Sequence, residues 1–180
     1  YQITILVDDI AGNIYVDSTT IQVDNEGLDI NSRGFTDIDL GVNFLYPWDW
    51  PEPTYIVSED GSSETQISNV DGTITIYVNA YDAASSEDLL NTAYSYLDGI
   101  NEVAYDPANE EAVTIWGYDG TIIPYAFTLD GELHVGALLS IYVPDLQTGF
   151  LVDLDATEAL SDQGQAVFDT LIGSLNFFAP

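Results

Sequence analysis

Thirty-one aspartates and glutamates stand against one arginine, Arg33, and no lysine, for a formal charge of −30. Almost no carboxylate can find a basic partner inside such a chain, so salt bridges cannot hold its fold, and net charge this far from zero opposes compaction. The acids must be hydrated, protonated, or neutralised by cations from the surroundings. High salt screens the repulsion, Ca²⁺ neutralises it, and low pH removes it. The same surface repels nucleic acid, which needs Lys and Arg to displace counterions, and it repels anionic lipid. Both partner classes are excluded.

The interior has to come from apolar residues, and there are enough of them. Hydrophobic residues make up 46% and aromatics 12% of 180 residues, which sets the chain apart from acidic disordered tails and provides for one domain with a core. No apolar run reaches the ~18–20 residues of a membrane helix. Cysteine is absent, so disulfides contribute nothing and the redox compartment is unreadable. The start at Tyr1 without a Met is expected of a processed or excised mature region.

Gly41–Pro53, GVNFLYPWDWPEP, is the stretch around which the chain is organised. Val42, Phe44 and Tyr46 alternate with Asn43 and Leu45, predicting a strand with one face on a core. Pro47 ends the ladder because it has no N–H, and Pro51 and Pro53 keep the next residues extended. Residues 1–40 read as a β-rich N-terminal extension: Tyr1–Val7, Ile14–Val16 and Thr19–Val23 as short strands, then Asp29–Asp39 as a polar loop. The extension is a hairpin on the domain, the end of a preceding module, or a strand lent to a neighbour.

Residues 41–180 read as the core domain. Thr54–Ser58, Thr65–Val70 and Thr73–Val78 are predicted strands, and the five Asp-Gly pairs (Asp60-Gly61, Asp71-Gly72, Asp98-Gly99, Asp119-Gly120, Asp130-Gly131) mark tight turns or helix ends. Ser85 is placed to cap a helix, with Asp88 as its reciprocal partner and Leu89, Leu90, Ala93, Tyr94 and Leu97 at helical spacing. A meander follows through Ala112–Tyr118, Thr121–Leu129, Glu132–Val143 and Gly149–Val152, with Leu133–Val143 central. Gly164–Asn176 closes the chain as a second helix, with Val167, Phe168, Leu171, Ile172 and Leu175 on one stripe.

This order begins with a strand running into Tyr46-Pro47-x-x-Trp50 and ends with Phe168-x-x-Leu171-x-x-Ser174-Leu175-x-Phe177. Over about residues 41–178 it resembles the PsbP/Mog1-like domains, in particular their bacterial secreted or lipoprotein-type members. The resemblance implies an α+β fold, an antiparallel sheet with two main helices in α–β–α layers. It also implies a non-enzymatic module that docks on protein partners at the extracellular side or cell surface. The basic docking patch of the photosystem members is not carried over, because this chain has no Lys.

The residues offer little catalytic chemistry. His134 is the one histidine, on an apolar strand, and no Gly-x-Ser-x-Gly elbow accompanies it. One His and no Cys leave a zinc site only carboxylates. Among so many acids a glycosidase-like pair arises by chance in any fold. For Ca²⁺, Asp29, Asn31 and Asp37 take the first, third and ninth positions of an EF-like loop, with Gly34 sixth and Asp39 beyond. Arg33 and Leu40 break the fifth and twelfth positions. Asp8-Asp9 and Asp153, Asp155 and Glu158 are further carboxylate candidates for the same ion.

Two surfaces are candidates for a protein partner or for copies of the chain itself. One is the strand bearing Tyr1, Ile3, Ile5 and Val7, which in a structural subunit of an extracellular assembly would pair with the next copy. The other is the aromatic pair Trp48 and Trp50, with Trp116 as a further platform residue.

Overall fold

The computed structural model describes residues 2–8, 14–20, 31–57 and 63–179. In chain order they form β1 (Gln2–Asp8), β2 (Ile14–Thr20), β3 (Ser32–Asp37), β4 (Val42–Pro47), β5 (Thr54–Val57), β6 (Ser63–Ser68) and β7 (Ile74–Asp82). After these come α1 (Ser86–Asp98), β8 (Ala104–Tyr105), β9 (Glu111–Ile115), β10 (Tyr118–Leu129), β11 (Glu132–Val143), β12 (Thr148–Thr157), α2 (Ser161–Ser174) and β13 (Asn176–Phe177).

The chain divides into residues 1–30 and 31–180. In the first unit, β1 pairs along its whole length with β2, antiparallel, from Gln2 opposite Thr20 to Asp8 opposite Ile14. The first strand thus finds its partner in its own chain. Tyr1 and Asp9 lie outside the described residues, as do the side chains of Ile3, Ile5 and Val7.

The division falls at residue 31, ten residues before the expected boundary, because Asp29–Asp39 is not a loop throughout. Its residues 32–37 form β3, which pairs with β4 from Ser32 opposite Pro47 to Asp37 opposite Val42. The apolar signal in this strand is one residue, Phe35, whose ring lies 5.4 Å from that of Phe44 and tilted against it. The alternation expected of β4 is present: Val42, Phe44 and Tyr46 are buried.

The main sheet runs β5-β6-β7-β12-β11-β10-β8, with β9 also on β10, and its neighbours pair antiparallel throughout. Alternation along the strands sends side chains to two faces. On one, Leu89, Ala93 and Leu97 of α1 pack on Ile123, Leu138 and Leu151. On the other, Phe168 and Leu171 of α2 pack with Val42, Phe44, Tyr46, Val152 and Leu154. A smaller sheet, β13-β4-β3, belongs to this second layer.

The helix ends follow local chemistry. Ser85 Oγ accepts the Asp88 N–H at 3.1 Å as expected, while Asp88 Oδ2 reaches one residue further back, to the Ala84 N–H at 3.1 Å. Gly99 ends α1 with φ −76, so its freedom to turn left-handed is unused. α2 starts three residues before the expected Gly164 and stops at Ser174, because Leu175 is extended. Phe177 then leaves the helical stripe and pairs with Val42 in β13. Ser174 Oγ accepts the Leu45 N–H at 2.8 Å, tying the helix end to β4.

Trp50 is 5% exposed and part of the core, so it is not available as a docking residue. The loop that buries it is organised by the one basic residue of the chain. The Arg33 guanidinium lies 4.7 Å from the Tyr46 ring centroid and 5.8 Å from that of Trp48. It donates to the Trp50 carbonyl and bridges Glu52 at 2.9 Å. Arg33→Ala is expected to destabilise the fold by about 2 kcal/mol through the lost stacking and charged hydrogen bond, with little from the exposed ion pair. Arg33→Lys recovers less than half of this, lacking the planar fork. Urea unfolding of both variants checks the ordering.

Among the described residues the other ion-pair geometry is His134 with Asp155, and no helix is long and apolar enough to cross a membrane. Raising NaCl from about 10 mM to about 1 M is expected to raise the Tm by several degrees, since screening acts on unpaired carboxylates. An unchanged Tm across that range contradicts the account. Among the described residues no group of three or more His, Cys, Asp or Glu is placed to hold a metal.

Candidate docking surface

Of the residues singled out for Ca²⁺, Asp37 is engaged in other bonds. Asp37 is buried; its Oδ1 accepts the N–H groups of Asp39 and Leu40, both at 3.0 Å, and its Oδ2 accepts the Thr65 hydroxyl. It thereby caps the turn from β3 into β4, and Asn31 and Asp39 are left flanking a strand. Asp29 lies outside the described residues. In the second group, Glu158 lies beyond the strand that carries the two aspartates. β12 extends to Thr157, five residues past the expected Val152, so Asp153 and Asp155 are strand residues on the face toward α1.

Asp153 is 2% exposed. Its Oδ1 accepts the Tyr125 hydroxyl at 2.8 Å and its Oδ2 the Tyr96 hydroxyl at 2.7 Å. Burial pushes its carboxyl up to about 7, against the lowering effect of the two hydroxyls and with small further increments from Asp155 and Glu64. Burial likewise raises Glu64, which Asn79 partly offsets. Asp155 bonds His134 Nδ1 at 2.7 Å, and the imidazole lies 5.0 Å from the Phe127 ring. His134 therefore has a local hydrogen bond at the strand rim. Asp153, sealed beneath α1, is out of reach of a substrate.

This network shows how the fold manages without bases. A tyrosine hydroxyl is neutral at pH 7 and donates one strong hydrogen bond to a carboxylate without needing a counter-charge. Besides Tyr96 and Tyr125, Tyr94 donates to Glu110 and Tyr105 to Asp98. The bond to Glu110 pushes the Tyr94 hydroxyl up to about 12. These four tyrosines thus take part of the role that lysine plays in ordinary chains.

The outer surface offers different chemistry. Trp48 is 66% and Trp116 69% exposed. Trp48 leans on Arg33, while Trp116 stands at the tip of the β9–β10 hairpin. Ile115 pairs with Tyr118, so the loop is just Trp116-Gly117, with φ +53 and +87. Two left-handed residues in a two-residue loop make a type I′ turn, whose favoured first residue is Asn. The expected turn at Asp119-Gly120 is displaced three residues toward the N-terminus, and Gly120 sits inside β10. Trp-Gly is not a turn dipeptide that sequence reasoning seeks, so this position could be found only as a surplus Trp.

Beside the hairpin tip lies a groove of about 380 Å³, lined by Val113, Thr114, Ile115 and Trp116 from the hairpin and by Asp169, Ile172 and Gly173 from α2.

No family profile and no curated protein matches the chain. Solved structures do. A protein of Bacteroides thetaiotaomicron VPI-5482 aligns at TM-score 0.57 and 15% identity over 83% of this chain and 49% of that one, so this chain spans about half its length. Cyanobacterial PsbP (CyanoP) of Synechocystis sp. PCC 6803 aligns at TM-score 0.58 and 17% identity over 84% of this chain and 96% of its own. The Ran-binding protein Mog1p of Saccharomyces cerevisiae aligns at TM-score 0.56 and 9% identity over 84% and 97%. With its antiparallel sheet, two helices and this likeness, the chain has a PsbP/Mog1-like fold.

Proposed function

We propose that this chain is a non-enzymatic docking or accessory module working at the extracellular side or cell surface, its acidic coat stabilised by salt or divalent cations. The observation that carries the reading is Trp116. A bulky ring at φ +53 is held in a conformation that costs a non-glycine residue about 1–3 kcal/mol. It is largely exposed, so it returns little packing in exchange. A local conflict of this kind is expected at a functional site. The fold likeness to Ran-binding Mog1p, a protein-binding protein by its description, agrees with this reading.

The test places a photo-crosslinking amino acid at position 116 and, separately, at exposed position 108 in the producing cells. A discrete adduct from 116 only, whose purified partner binds the wild-type chain and loses affinity for Trp116→Asn, is the expected result. Adducts that do not differ between the two positions, or turnover of a substrate by the purified chain, overturn it.

A further inference from the structure

The groove beside Trp116 has a chemical bias that names its occupant. Its apolar wall is Val113, Ile115 and Ile172, and Gly173 leaves one side open, with nothing within 4 Å of where a Cβ would stand. Three features at its rim favour a cation. The exposed Trp116 ring presents a face for cation–π contact. Asp169 supplies a carboxylate, oriented by Gln165 Nε2 donating to its Oδ1 at 2.8 Å. Ile172 and Gly173 lie in the last turn of α2, which carries no basic residue, so the negative end of the helix dipole is uncompensated there.

The chain cannot supply that cation itself, since its one arginine is held against Tyr46, Trp48 and Glu52. Resting on the docking reading above, we infer that this groove receives a segment of a partner protein that sets an arginine or lysine beside an apolar side chain. The apolar member enters between Ile115 and Ile172 while the cation lies between the Trp116 ring and Asp169. The field of a chain with charge −30 steers such a basic segment inward. The groove is what distinguishes a specific site from that general attraction.

The probe is a capped synthetic peptide of alternating Arg and Leu, added to the ¹⁵N-labelled full chain at about 150 mM NaCl, where exposed long-range attraction is largely screened. The indole N–H resonance of Trp116 is expected to shift saturably, with the Trp48 and Trp50 resonances unmoved. Trp116→Asn creates the favoured Asn-Gly turn, and so should leave the fold intact or stabilised while weakening binding about tenfold. Gly173→Arg adds a cation of the chain's own at the helix end without steric conflict, and should weaken binding to a similar degree at an unchanged or higher Tm.

An alternating Arg-Ser peptide of equal charge should bind at least about tenfold more weakly, for lack of the apolar anchor. Failure of the Arg-Leu peptide to bind, equal binding of the Arg-Ser peptide, or undiminished binding by both variants overturns the inference. Saturable shifts that map to the Trp48 face also overturn it, yet leave the docking reading standing. That reading falls only on the crosslinking result or on substrate turnover by the purified chain.

Discussion

Raising the pH from about 4 to about 7 is expected to lower folding stability by about 3 kcal/mol through one side chain, Asp153. Its carboxyl has an ordinary value of 3.8 and is pushed up to about 7 in the folded chain, chiefly by burial. The folded state therefore holds this proton more tightly than the unfolded state. Below about pH 4 both states are protonated and nothing is lost. As pH rises the unfolded chain ionises first, and the deficit grows until the folded form ionises near 7.

The local geometry serves both forms. The Tyr125 hydroxyl lies 2.8 Å from Asp153 Oδ1 and 3.2 Å from the Leu154 carbonyl. It donates to the carboxylate when Asp153 is ionised. When Asp153 is protonated, Tyr125 can turn to Leu154 and accept from the carboxyl instead. Asp153→Asn removes the titration and keeps an acceptor and a donor for the two tyrosines. Its stability should be flatter by that amount between pH 4.5 and 7.5, measured by urea unfolding at each pH. General relief of charge repulsion by acid remains in both proteins, so the difference between them isolates Asp153. Identical slopes would refute the assignment.

The second large effect is steric. A Cβ on Gly136 would stand 2.2 Å from Tyr125 Cζ and 2.5 Å from the Leu154 carbonyl oxygen. Gly136 and Tyr125 are directly opposite in the β10–β11 pair, and only a bare glycine lets the ring lie across the sheet to reach Asp153. Gly136→Ala is expected to cost about 3–5 kcal/mol, from overpacking and from the loss of a buried donor to a carboxylate. In a Tyr125→Ala background part of the clash is gone, so the two losses should fall short of additivity by at least about 1 kcal/mol. Additive losses would show that the ring is not what the glycine accommodates.

Much of the fold was legible because its signals are local. The alternation of Val42, Phe44 and Tyr46 and the stripe of Phe168, Leu171 and Leu175 report which residues face an interior, and they are buried. Ser85 and Asp130-Gly131 report their own backbone chemistry; Asp130 and Gly131 have φ +52 and +86 between paired strands. β3 was not legible, since five of its six residues are polar, charged or glycine and its pairing is dictated by β4. The hairpin turn at Trp116-Gly117 was hidden for a related reason. Its position follows from the register of β9 on β10 and not from the preference of the Trp.

The sequence by itself determined that the interior is apolar, that carboxylates far outnumber bases, and that help against their repulsion must come from groups other than lysine. Those are properties of composition and short-range periodicity, and they hold whatever the path of the chain. Only the tertiary structure decided which acids are paired and with what. It set Asp153 beneath two tyrosines from α1 and β10, and Asp155 against His134. It also brought Trp116 beside Asp169, 53 positions along the chain, at one groove. A hydrogen bond or a groove depends on positions brought together across a sheet, and no spacing along the chain encodes that proximity.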